Sequence, residues 1–239
     1  MHKTVAESRA FARELVRRFE HVLPSRQLIV CPTAVSLWAV GQELAASPVE
    51  LGAQNLDLGH EGALTGALSG YLLHEAGARW VIVGHSERRN LFGESDALIA
   101  QKVGQAWKAH LRPILCVGES LDDYRDGQTF RVVSRQIEAI FPHVSADLLT
   151  SLVVAYEPVW AIGSGEVPDP GQVDDVAELI RHVLADKLGN GASAVPVLYG
   201  GSVSSNNLHK FLENAHIDGA LVGGASLQVD EFVKMADIH

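Results

Sequence analysis

Val153-Val154-Ala155-Tyr156-Glu157-Pro158-Val159-Trp160 is an apolar, β-branched run that stops at a carboxylate and a proline. Valine and tyrosine favour extended chain, and the absence of polar alternation places both faces of the strand in a core. Proline does not continue the interior of a sheet, so the strand ends at Tyr156 and Glu157 stands at its carboxyl end. Strands buried on both faces occur in parallel sheets covered by helices. The same unit recurs outward along the chain, at Leu28–Cys31, Val49–Ala53, Trp80–Val83, Pro113–Val117, Leu152–Tyr156, Val195–Tyr199 and Gly219–Val222. Stretches of helical period accompany these runs, at Val5–Arg18, Ser69–Ala76, Ser95–Ala109, Thr129–Ile140, Val173–Lys187, Asn206–Leu212 and Glu231–Ala236. This alternation predicts an α/β fold with a parallel sheet.

The length of 239 residues is close to the ~250 of a single (β/α)8 barrel. No linker, low-complexity block or charge run divides the chain, so one domain is expected over residues 1–239. Seven strands are readable and the chain opens with a helical stretch, whereas a closed barrel of this kind needs eight strands. The expectation is therefore a barrel whose first strand is absent, with a gap between Leu28–Cys31 and Gly219–Val222. Glycine-rich turns at Gly59–Gly62, Gly118-Glu119 and Gly163–Gly165 follow strand ends, the face that carries active sites in barrels.

Composition narrows the function classes. Apolar residues make up 47% of the chain and charged residues 20%, an ordinary globular balance. No apolar run reaches the ~18–20 residues of a membrane span, and Met1–Glu7 has no signal-peptide core. The formal net charge of −10 argues against nucleic acid or an anionic membrane as partner. It also means that an anionic substrate has to be held locally, by helix N-termini and backbone N–H groups. Cys31 and Cys116 each end an apolar run and read as buried thiols of a reducing, cytoplasmic compartment. No spacing of cysteine and histidine suits a disulfide framework or a metal.

Four segments at strand ends carry chemistry. In Val83-Gly84-His85-Ser86-Glu87-Arg88-Arg89 a histidine sits between a strand and the start of a helix. A helix N-terminus favours the neutral imidazole, which can polarise a carbonyl; alone, such a histidine is more often a surface residue beside a charged loop. Glu157 at the end of a buried strand sits in low dielectric, which raises a carboxyl pKa toward that of a useful base; the plainer reading is a rim salt bridge. The apolar loop that follows, Pro158 to Gly165, has stiff ends and a glycine tip and suits a lid that closes over a ligand. Tyr199-Gly200-Gly201-Ser202-Val203 and Leu221-Val222-Gly223-Gly224-Ala225-Ser226 each hold a glycine pair. One pair usually means a turn, but two after the last two strands match the phosphate site usual for barrels.

With these four segments in order and spacing, the chain resembles the triosephosphate isomerase family along nearly its whole length. Supporting matches are Ala53-Gln54-Asn55, Thr65-Gly66 and Cys116-Val117-Gly118-Glu119. A glutamate base, a neutral histidine and a closing loop form the established arrangement of that family, so the roles below follow from resemblance. It implies a TIM barrel that interconverts dihydroxyacetone phosphate and D-glyceraldehyde 3-phosphate through an enediolate, without metal or organic cofactor. Glu157 would move the carbon-bound proton, and His85 would polarise the carbonyl oxygen. Ser86 would contact Glu157 while the lid is open, and Glu87 resembles a supporting acid. Backbone N–H groups of Gly163, Ser202, Gly223 and Gly224 would hold the phosphate. Pro158, Trp160 and Ile162 would belong to the lid, and Tyr199 would latch it. The resemblance also implies a homodimer, formed by inserting the loop from Gln54 to Ser69 into the partner.

The chain departs from the family pattern in places. Members begin with a strand ending Asn-Trp-Lys, whose lysine binds phosphate; here the matching register starts at Met1-His2-Lys3-Thr4. The resemblance therefore implies a truncated chain with much reduced activity and a weakened dimer. Glu166 replaces the usual lysine at the lid's second hinge, and Ala67 replaces a glutamate of the dimer loop. Two other readings stand beside the isomerase. Another phosphate-binding barrel, such as a sugar-phosphate or indole-pathway isomerase, explains the glycine pairs but not His85 with Glu157. A non-catalytic phosphate-binding barrel that retained the fold would explain the missing lysine.

Overall fold

The computed structural model describes residues 1–19, 26–143, 145–162 and 167–237. In chain order the elements are α1 (Val5–Phe19), β1 (Leu28–Val30), α2 (Leu37–Leu44), β2 (Val49–Ala53), α3 (Gly70–Glu75), β3 (Trp80–Val83), α4 (Ser86–Phe92), α5 (Asp96–Lys108), β4 (Arg112–Val117), α6 (Leu121–Arg125), α7 (Thr129–Glu138), α8 (Ala146–Leu149), β5 (Val153–Tyr156), α9 (Pro170–Leu188), β6 (Val197–Tyr199), α10 (Leu208–Leu212), β7 (Gly219–Ala220) and α11 (Val229–Ala236). The seven strands form one parallel sheet in sequence order, β1 to β7, with helices between them, as in a TIM barrel. Every strand expected from the sequence is present, with ends that differ by two residues at most. The helical stretches of the sequence do not include α2, α6 or α8.

The sheet is buried on both faces by two separate sets of side chains. Trp80, Ile82, Ile114, Cys116, Val153 and Ala155 form an inner cluster, joined by half-buried Ile29, Cys31, Leu198 and Leu221. Their neighbours Val81, Val83, Leu115, Val117, Val154 and Tyr156 belong to the larger core under the helices. This two-residue period follows from the pleat, and the unbroken apolar runs of the sequence record it. Parallel register locks the strands together, with Ile114 opposite Val153 and Val117 opposite Tyr156.

Sequence-coded caps set several helix starts. Ser69, Ser95 and Asp169 accept hydrogen bonds from backbone N–H groups of the first turns of α3, α5 and α9. Ser120 and Asp123 make a reciprocal capping box at α6, which satisfies two otherwise orphaned donors. β1 and β7 stand at the two ends of the strand order. The helices flanking them meet: Arg18 at the end of α1 pairs with Asp230 of α11 at 2.5 Å. At the amino ends of the strands, the Trp80 indole N–H donates to Glu50 Oε2 at 2.8 Å. The Arg112 guanidinium lies over the Trp80 ring at 4.0 Å.

Candidate active site

The alternation in β5 places Glu157. Val153 and Ala155 face the inner cluster and Tyr156 the helices, so the next residue turns back to the inner side at the carboxyl mouth. Its N–H donates to the Val117 carbonyl at 2.7 Å, continuing the ladder one residue beyond the strand. Glycines flank it closely. A Cβ on Gly200 would lie 2.8 Å from Glu157 Cγ, and one on Gly118 would overlap the Glu157 carbonyl oxygen.

His85 reaches the same place from β3. Gly84 takes φ +75°, a left-handed turn that suits glycine, and His85 then caps α4. Its Nδ1 accepts the Glu87 N–H at 3.2 Å. A ring nitrogen that accepts leaves Nε2 as the position for the ring proton. Nε2 lies 3.1 Å from Glu157 Oε1. The Ser86 N–H donates to Oε2 at 2.9 Å.

Glu157 is only 2% exposed. Burial pushes its carboxyl pKa upward, opposed by His85, the Ser86 N–H, the Cys116 thiol and Arg89. A buried carboxylate stripped of water can abstract a proton from a bound molecule. Burial and the neighbouring carboxylate also push the Cys116 thiol well above its usual range, so Cys116 stays protonated and donates. Arg89 fixes the surrounding frame. Its guanidinium bonds the carbonyls of Gly84 at 2.8 Å and Cys116 at 2.9 Å and pairs with Asp96.

Other expected residues fall out differently. Ser86 contacts Glu157 through its backbone. Glu87 supplies its N–H to His85, while its carboxylate is 73% exposed and 4.0 Å from the ring. Ser202 Oγ donates to the Ala161 carbonyl at 2.8 Å, tying the base of the loop to the β6 turn. Gly223 and Gly224 face open space, with nothing within 4 Å of a Cβ built on either. Tyr199 is fully buried and stacked on Phe211, and its hydroxyl has no partner among the described residues. Pro158 is buried, while Trp160 and Ile162 are half-buried. Gly163 and Glu166 lie outside the described residues.

Two contacts were invisible in the sequence. Glu119, fully buried, accepts the Trp160 indole N–H at 2.8 Å and the Tyr156 hydroxyl at 3.2 Å. Burial raises its carboxyl pKa despite these bonds. Tyr124 of α6 stacks on the other side of the same indole, centroid to centroid 4.3 Å. The second contact is a buried charge cluster behind α4. Lys102 Nζ lies 2.7 Å and Arg88 Nη2 2.6 Å from Glu94 Oε1, with Asn55 accepting from Lys102 at 3.0 Å. Gly118-Glu119 is a recognisable turn in the sequence, but nothing in the sequence marks Glu94, in the loop before α5, and Lys102, on α5, as partners. Among the described residues, no group of three or more His, Cys, Asp or Glu side chains is placed to hold a metal.

A sequence model of triosephosphate isomerase matches residues 1–239. The chain belongs to the triosephosphate isomerase family. It is 43% identical over 236 residues to a triosephosphate isomerase of Chloroflexus aurantiacus, covering 98% of this chain and 94% of that protein. A Carboxydothermus hydrogenoformans protein of the same name gives the same figures. One from Magnetococcus marinus is 46% identical over 217 residues, covering 90% of this chain and 85% of that protein. These matches do not bear out the expectation of a truncated chain. They lend no support to the expected loss of activity or to a non-catalytic protein.

Proposed function

We propose that this chain is a triose-phosphate isomerase that uses Glu157 as the mobile base and His85 as the neutral electrophile. The observation that carries the reading is the 3.1 Å approach of His85 Nε2 to Glu157 Oε1 at a water-poor strand end. Dihydroxyacetone phosphate, bound between them, would lose a carbon-bound proton to Glu157 while the Nε2–H polarises the carbonyl oxygen. His85 moves the hydroxyl proton of that first carbon to the former carbonyl oxygen, and Glu157 returns its proton to the neighbouring carbon, giving D-glyceraldehyde 3-phosphate. The raised pKa of Glu157 serves both steps, because a carboxyl must give back the proton it takes. The phosphate would lie against the backbone N–H groups of Ser202, Gly223, Gly224 and Gly163, where the two glycines described face open space. The Tyr199 hydroxyl, without a partner among the described residues, suits a latch for the loop that begins at Pro158.

The exposed apolar side chains support a homodimer. Val35 follows β1, Leu64, Tyr71 and Leu72 follow β2, and Leu91 and Phe92 follow β3. These residues follow three strands that are neighbours in the sheet, and exposed apolar side chains of this kind support an interface. Two free cysteines and the absence, among the described residues, of a helix able to cross a membrane agree with a cytoplasmic enzyme.

A coupled assay with each triose phosphate tests the reading. Glu157→Gln should lose about 10²–10⁴-fold in kcat. The wild-type kcat/KM should fall on acidification through a pKa above the ordinary carboxylate range, because the base works only when ionised. Retention of half the activity by Glu157→Gln would sink the assignment.

A further inference from the structure

We infer that Gln136 is a positioning residue for Glu157, acting through the peptide of Gly118; the inference rests on the isomerase reading above. β4 ends at Val117, so the N–H and C=O of Gly118 lie past the last rung of the ladder. Glu157 crowds this point so tightly that Gly118 has no room for a side chain. A buried peptide group without a partner is costly, and here a side chain supplies both partners. Gln136 Oε1 accepts the Gly118 N–H at 2.8 Å. Its Nε2 donates to the Gly118 carbonyl at 3.1 Å. The amide thus stands in for one residue of a neighbouring strand.

The clamp is rigid at its source. Gln136 is 6% exposed on α7, between core residues Val133 and Ile137. It is also chemically specific. Glutamine has an acceptor and a donor on one flat group, asparagine is a methylene shorter, and an ionised glutamate only accepts. One face of the Gly118 peptide is therefore held by Gln136, and the other is the surface against which the Glu157 backbone rests. The next residue, Glu119, holds Trp160. Tilting this peptide would shift Glu157 away from the Ser86 N–H at 2.9 Å and from His85 Nε2 at 3.1 Å. Displacements of ~1 Å at a catalytic group can cost 10²-fold.

The test compares wild type with Gln136→Met, which keeps the length and loses both bonds, and Gln136→Glu, which keeps the acceptor. Urea unfolding first establishes that each variant is folded at the assay temperature. Gln136→Met should lower kcat by about tenfold or more and leave KM within about twofold. Gln136→Glu should lie between it and wild type. A second readout needs no turnover: the ¹³C carboxyl signal of Glu157, assigned by its loss in Glu157→Gln. In Gln136→Met its titration should move down by about half a pH unit as water reaches a loosened site. An active wild type whose Gln136→Met variant keeps kcat and an unmoved titration overturns the inference alone. An inactive wild type refutes the isomerase reading, and the titration then decides the clamp. If Gln136→Met does not fold, Gln136→Glu decides by the same two measures.

Discussion

Replacing Trp160 by phenylalanine isolates one hydrogen bond of the loop base. The new ring can still stack on Tyr124, which lies 4.3 Å from the indole. The N–H that reaches Glu119 at 2.8 Å is lost, and the longer bond from Tyr156 remains. A hydrogen bond to an ionised partner is worth ~1.5–3 kcal/mol and one to a neutral partner ~0.5–1.5 kcal/mol. The variant should therefore be less stable by about 2 kcal/mol with Glu119 ionised and by about 1 kcal/mol with it protonated. The sign with pH follows from burial, which raises the Glu119 pKa in the folded state while Trp160 lowers it. A carboxyl raised in this way favours folding below its unfolded pKa and loses that contribution as pH rises through the folded value. Removing the Trp160 donor moves the folded value higher still. The deficit is then small in acid, opens through this region and is complete above it. Urea unfolding of both proteins at about pH 4 and about pH 8 measures the two deficits, about 1 kcal/mol apart, or ~2–4 °C in Tm. A deficit that is equal at both pH values, or larger in acid, would show that Glu119 is not the charged partner of Trp160.

Lys102→Met removes one of two cations from the buried Glu94 carboxylate. Breaking such a pair costs ~3–5 kcal/mol, and the remaining Arg88 places the loss near the lower end; unchanged thermal unfolding would mean that Arg88 alone satisfies Glu94. Gly118→Ala forces a methyl group into the Glu157 carbonyl. It should cost ~1–3 kcal/mol of stability and about 10²-fold in kcat, and a variant with wild-type turnover contradicts the described packing.

The strands were legible because their two-sided burial leaves unbroken β-branched runs, and Gly84 and Pro158 punctuate the two that end in His85 and Glu157. α2 was not legible, because Gly41 breaks its helical pattern. A side chain there would meet Leu51 at 3.0 Å and the Ala76 carbonyl at 3.1 Å, so packing against β2 overrides the ~1 kcal/mol propensity loss of glycine. In the site, the two reacting side chains were readable, but their orientation was not. Ser86 and Glu87 act through backbone N–H groups, which every residue possesses and no sequence advertises. Gln136 lies 18 positions from Gly118 on a helix where a polar residue is unremarkable, and only the winding of the chain brings them together.

The two-residue rhythm of β5 has a genetic consequence. Deleting one codon between Val153 and Tyr156 would turn Glu157 toward the helices and a tyrosine toward the mouth, exchanging a base for a phenol at a stroke. Codon gains and losses are thus barred from this strand unless they come in pairs. The connections between elements carry no such parity and are free to drift in length across lineages.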